Sequence, residues 1–174
     1  MMPTPSHLSD CIRRPSADND EEPLVAPVAC PCGSEQFTFL YPGQTAGDAD
    51  NPYPVVATID GKYFLVLRAA CECGQSHLLL DADLHGWNGY VCRAVAQASL
   101  PRPDLVPWSC VSCGGTTHKL TVRVSTHGEI DFAEETDGEF PPETWPDGFS
   151  WFSLDTECVD CGHTSDSLID YETM

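Results

Sequence analysis

The chain's 174 residues carry 27 Asp and Glu against 8 Lys and Arg, a formal charge of −19 at pH 7. That balance disfavours nucleic acid as a partner, because phosphate binding rests on clustered Lys and Arg that displace counterions. No apolar stretch approaches the roughly eighteen residues of a membrane span and no signal-peptide core opens the chain, so a soluble, cytoplasmic protein is expected.

In residues 1–24, Pro3, Pro5, Pro15 and Pro23 stand among Ser, Asp and Glu. Too few apolar groups are present to offset the entropy of ordering, which predicts a disordered, acidic and Pro-rich tail with Cys11 as a free thiol. Beyond it, short apolar runs broken by Gly, Pro and Asp predict strands and turns, and hence a mainly β chain. Residues 25–100 form the first expected domain. It reads CPCG at Cys30 and Cys32, a strand over 37–41, a turn at Asp60-Gly61, a strand over 63–67, CECG at Cys71 and Cys73, and then Leu79-Leu80-Asp81 with Asp83. Val91, Val95 and Ala98 share one face of a short helix within 89–100, where Cys92 reads as a small buried hydrophobe. Pro101, Pro103 and Pro107 end that helix and make 101–107 a linker.

The second expected domain, 108–174, follows the same plan. CVSCG carries Cys110 and Cys113, a strand alternates over 120–124, and an acidic, Pro-rich loop leads to Asp147-Gly148. A strand over 150–154 enters CVDCG at Cys158 and Cys161, and Leu168-Ile169-Asp170 with Glu172 leaves it. Both Asp-Gly pairs stand eleven residues before the thiol pair that follows. A tandem duplication accounts for that register, with a hairpin expected at each Asp-Gly.

Close thiol pairs in a reducing compartment bind metal more often than they form disulfides. Zinc suits four thiolates in a tetrahedron, and two close cysteines on one turn supply half of it. The pairs therefore predict two structural zinc ions, one on Cys30, Cys32, Cys71 and Cys73 and the other on Cys110, Cys113, Cys158 and Cys161. Gly114 and Gly162 can take the positive φ that turns backbone amides toward sulfur. Loading both sites would move the formal charge from −19 to about −23, since each exchanges four protons for two positive charges.

The knuckles at Cys110–Gly114 and Cys158–Gly162 resemble those of the zinc ribbon, a structural class with two CxxCG turns facing one another. That resemblance implies a three-stranded β-sheet hung from a structural metal. The first half departs from the pattern, having one residue between its thiols, while Gly33, Gly74 and the repeat register extend the same four-ligand arrangement to it. Iron is an alternative occupant of the same ligands. A redox dithiol or disulfide is the other reading of each pair, though such a centre normally opens a helix.

Elsewhere, His163 is placed to donate to sulfur but reads more readily as solvent-facing, and His85 sits in a turn packed by Trp87. Asp81, Asp83, Asp170 and Glu172 read as solvent ends of strands rather than catalytic pairs. No nucleophile elbow, phosphate loop or dinucleotide fingerprint is present. The sequence thus favours a non-enzymatic, acidic interaction module for a basic protein partner, built as two zinc-ribbon-like β domains with a short helix. A thiol-redox protein or enzyme is the first alternative, and a nucleic-acid-associated zinc ribbon, disfavoured by charge, the second.

Overall fold

A computed structural model describes residues 3–13, 23–92 and 102–173. The alternation of large apolar and polar side chains sets the central strands. In β10 (Thr117–Ser125), His118, Leu120, Val122 and Val124 point inward while Lys119 and Arg123 point out. In β2 (Phe37–Tyr41), Phe37, Phe39 and Tyr41 are the buried set. Period-two patterns of this kind bury one face of a sheet.

Around these two strands the chain builds one large antiparallel sheet. β7 (Val66–Cys71) flanks β2 and β8 (Ser76–Asp81) lies outside it, while β11 (Trp151–Cys158) flanks β10 and β12 (Thr164–Glu172) lies outside that. The order β12-β11-β10-β2-β7-β8 is one three-strand ribbon followed by another, turned about the β2–β10 pair. The register is symmetric at residue level. Phe37 and His118 each follow the second cysteine of their knuckle by five residues, and they pair with each other. Each also pairs outward with the first cysteine of the next knuckle, Phe37 with Cys71 and His118 with Cys158.

The ribbons also exchange their leading strands. β1 (Leu24–Pro27), just before the first knuckle, pairs with β10 of the other ribbon. β9 (Val106–Pro107), just before the third, pairs with β2. Pro27 stands opposite Thr121 and Pro107 opposite Leu40, equivalent positions in the two halves. One residue on, Val28 N–H donates to Leu120 O and Trp108 N–H to Phe39 O, both at 2.8 Å. A single core joins residues of both ribbons, with Phe39, Leu67, Leu79, Val122, Phe152 and Leu154 wholly enclosed.

Shorter elements fill the loops. β3 (Thr45–Ala46) pairs with β4 (Tyr53–Pro54), and β5 (Ala57–Ile59) turns into β6 (Lys62–Phe64) through Asp60 and Gly61. Both turn residues have positive φ, as a two-residue hairpin requires. Asp147-Gly148, by contrast, makes no hairpin and closes a 3-10 segment, Pro142–Gly148. The acidic loop before it contains a helix that the sequence reading missed, α1 (Glu129–Glu135), which buries Phe132 against Trp87 and Phe140.

The expectation of a disordered tail gives way over residues 3–13. Leu8, Cys11 and Ile12 are buried there, a 3-10 turn spans Ser6–Leu8, and Arg13 N–H reaches Pro27 O. Leu8, Cys11 and Ile12 join the common core, with Ile12 bridging Val28, Cys11 O accepting from Ala29 N–H and the turn at Ser6–Leu8 lying against β8. Cys92 is corrected in the opposite sense, being exposed at the end of one π-helical turn, Trp87–Val91. The rest of the helix expected over 89–100 lies outside the described residues. In the expected linker, Arg102 is held by Asp81 and Asp83 at 2.9 and 3.1 Å. Asp81 is buried, so it is no solvent-facing strand end. Asp170 also has structural partners, accepting from Trp151 Nε1 and from Ser153 Oγ.

Candidate metal centres

Each cluster is assembled from two turns at one end of a ribbon. In the CxxCG turns, Gly114 N–H closes onto Cys110 O and Gly162 N–H onto Cys158 O, at 2.8 and 2.9 Å. In the shorter turns, Gly33 N–H closes onto Cys30 O and Gly74 N–H onto Cys71 O, at 2.8 and 3.0 Å. All four glycines have φ between 73° and 93°, the left-handed region that side chains resist. In every turn the first cysteine's N–H then bonds the carbonyl just past the glycine: Ser34, Gln75, Gly115 or His163. The one-residue turns are therefore the same device with one residue fewer, a four-residue β-turn in place of a five-residue one.

These turns bring together all eight predicted ligands, and among the described residues no other His, Cys, Asp or Glu joins either group. Cys30 Sγ lies 3.6 Å from Cys73 Sγ, and Cys32 Sγ lies 3.6 Å from Cys71 Sγ. The same separation joins Cys110 to Cys161 and Cys113 to Cys158. Within each group all four sulfurs lie within 4.8 Å of one another. A tetrahedron with metal–sulfur bonds of about 2.3 Å has edges of about 3.8 Å, so the donor set fits an ion at its centre. A disulfide needs about 2.05 Å, and all ten cysteines are free. In both clusters the first cysteine of each turn is buried and the second exposed.

Electrostatics favour a cation. Burial pushes the Cys30 thiol up to about 12. The Cys73 N–H holds Cys71 down to about 7. Gly115 N–H lowers Cys113, but the adjoining Cys161 and Cys158 thiols outweigh it and carry it up to about 12. Four sulfurs at this separation cannot all ionise alone, and a divalent ion replaces the protons they otherwise retain.

Two residues of the surroundings escaped the sequence reading. The Gln75 carboxamide lies 3.0 Å from Cys30 Sγ, and turning it end for end presents its NH₂ to a thiolate. Its place directly after Cys73-Gly74 was the available signal. His118, buried beside the second cluster, donates from Nδ1 to Thr116 O at 3.2 Å, and burial lowers its pKa. His163 is exposed, and it serves the cluster through its backbone carbonyl. His85 stacks on His7 with centroids 3.7 Å apart and its Nδ1 accepts from Asp81 N–H, while Trp87 meets the rings of His127 and Phe132.

Among the described residues no helix is long and apolar enough to cross a membrane. No protein-family model matches the sequence, and no curated protein or solved structure matches it, so the assignment of the two clusters rests on their own geometry.

Proposed function

We propose that the chain is a non-enzymatic interaction module whose two clusters hold structural zinc and whose acidic surface receives a basic protein partner. The observation that carries this reading is the closure of both clusters by four cysteines, which leaves an ion no open position for water or substrate. Zinc is favoured over iron because the ribbon-like turns need only a tetrahedral ion without redox chemistry. Free thiols throughout suit a reducing compartment such as the cytoplasm.

The choice of a basic partner follows from how the cations are used. Of the six described Lys and Arg residues, Arg13, Arg102, Lys119 and Arg123 already hold Glu35, Asp81 with Asp83, Glu157 and Asp155. The remaining acidic excess attracts positive charge, and it leaves little with which to neutralise phosphates. The thiol-redox alternative is weakened because the cysteine pairs lie on β-turns, without the helix N-terminus that activates such thiols. The symmetric registers fit an origin by internal duplication.

Native mass spectrometry tests the metal assignment, with two zinc ions expected and iron or an empty chain refuting it. Affinity capture at low and high salt tests the partner, with Lys- and Arg-rich proteins expected at low salt and lost at high salt. Recovery of no basic protein at low salt would overturn that part.

A further inference from the structure

A groove of about 770 Å³ runs beside β12, and every residue from 163 to 171 lines it. The lining runs unbroken along the strand, which bulges at residues 166–168, where Ser167 has φ +50° and donates its N–H to Asp155 Oδ1. Among the described residues β12 ends the sheet and pairs with β11 alone. The opposite wall is the segment 51–56 with Tyr63 and Leu65. Tyr53 and Tyr63 are 47% and 71% exposed there, and Val111, at 40%, also lines the groove. The formal charges in the lining are Asp166 and Asp170, with no Lys or Arg.

We propose that this groove takes an extended, basic segment of the partner protein, which adds to the free edge of β12 as a further strand. The inference rests on the acidic-module reading above and narrows it to one place and one binding mode. Backbone geometry supports it. Cys158 N–H bonds His163 O and Thr173 N–H bonds Ser150 O. Alternation within the two paired stretches on either side of the bulge then turns the amides of Thr164 and Asp170 away from β11 and toward the groove. Unpaired strand edges accept such additions, with main-chain bonds giving affinity and side-chain pockets giving selection. Lys or Arg side chains of the segment meet Asp166 at the bulge and Asp170 beyond it, and apolar residues between them cover Tyr53 and Tyr63. A second copy of this chain suits the edge poorly, because pairing β12 with itself would bring Asp166, Asp170 and Glu172 of two chains of charge −19 together.

The test uses the full, metal-loaded chain and a short synthetic peptide of alternating Lys and Val, with binding read by fluorescence anisotropy at low salt. Two further peptides are N-methylated on one or the other alternate set of amides, which leaves charge and side chains unchanged. One methylated peptide should lose about tenfold in affinity while the other binds as the parent does. Asp166→Asn should weaken the parent peptide about threefold, and Asp131→Asn, which removes a charge from α1, should have a smaller effect. Equal affinity of the two methylated peptides would overturn strand addition while leaving an acidic surface that attracts cations. Failure of all three peptides to bind at low salt would refute the acidic-module reading as well. A dimer of the free chain that the peptide dissociates would assign the groove to a second copy and overturn the proposal.

Discussion

Replacing Cys113 and Cys161 by serine removes half the ligands of the second cluster without opening the core, because both thiols are exposed. The direct loss is that ion's contribution, on the order of 10 kcal/mol for a structural zinc site at neutral pH. That is comparable with the entire stability of an ordinary domain, about 5–15 kcal/mol, so the second ribbon should unfold. The exchanged strands carry the damage onward. Without β10, Leu24 and Val28 of the first half lose the strand they lie against, worth about 3 kcal/mol together. Loss of the segment before the third knuckle withdraws Trp108 from Tyr41, whose rings meet edge-on at 5.4 Å, for about 3 kcal/mol more. A loss of about 6 kcal/mol should leave the first ribbon unable to keep its own ion at wild-type affinity. The assay pairs native mass spectrometry with hydrogen exchange over residues 62–81. Lost protection in that segment and weakened retention of the first ion are expected. If the double variant kept one ion with undiminished affinity and wild-type protection in β7 and β8, the claim that the ribbons stand or fall together would be refuted.

Chelation should abolish the β signal in circular dichroism in step with zinc release, and unchanged thermal unfolding of the metal-free chain would show that the ions are not structural. Burial lowers His7 to about 4, and burial with the adjoining His7 lowers His85 to about 3. Both stay neutral in the native state, so their contribution is intact above the unfolded pKa near 6.5 and declines as pH falls toward the native values, by roughly 2 kcal/mol per histidine at pH 5. Denaturant melts should show that slope reduced in His7→Gln, and an unaltered slope would remove the stacked pair as its source. Phe152→Ala, at a fully enclosed site, should lower stability by about 3–5 kcal/mol in urea titrations. Gly114→Ala, at φ +77° with open space around its would-be Cβ, should lose only about 1–2 kcal/mol. Gly86→Ala should lose more, since its Cβ would come within 2.6 Å of Thr173 Cβ; equal melting temperatures for the two glycine variants would contradict that distinction.

What could be read from the sequence was local. The knuckles, the alternation in β2 and β10 and the turn at Asp60-Gly61 are written in neighbouring residues, and those elements formed where expected. The grouping of the eight cysteines into two clusters was legible because metal chemistry restricts residue type and spacing more tightly than packing does. What failed depends on partners distant in the chain. The turn at Ser6–Leu8 lies against β8, Arg13 bonds Pro27 of a β1 that is itself held by a strand nearly a hundred residues away, and the buried Asp81 is met by Arg102 from beyond the first ribbon. Asp147-Gly148 has the composition of a hairpin turn, but the 3-10 segment before it delivers the chain to β11 without one. Cys92 looked buried on a helical periodicity whose remaining members lie outside the described residues.

The exchanged strands also bear on how the protein is made. Leu24 stands opposite Val124, so β1 has no strand to pair with until 100 further residues have been synthesised. The four cysteines of the first cluster emerge well before that, while the edge of β2 and the apolar face of β1 are still bare. During that interval the growing chain presents an unpaired strand edge of the sort that recruits neighbouring chains. On the proposed metal assignment, the closing of the second cluster is the step that ends the period in which the half-finished molecule is open to aggregation.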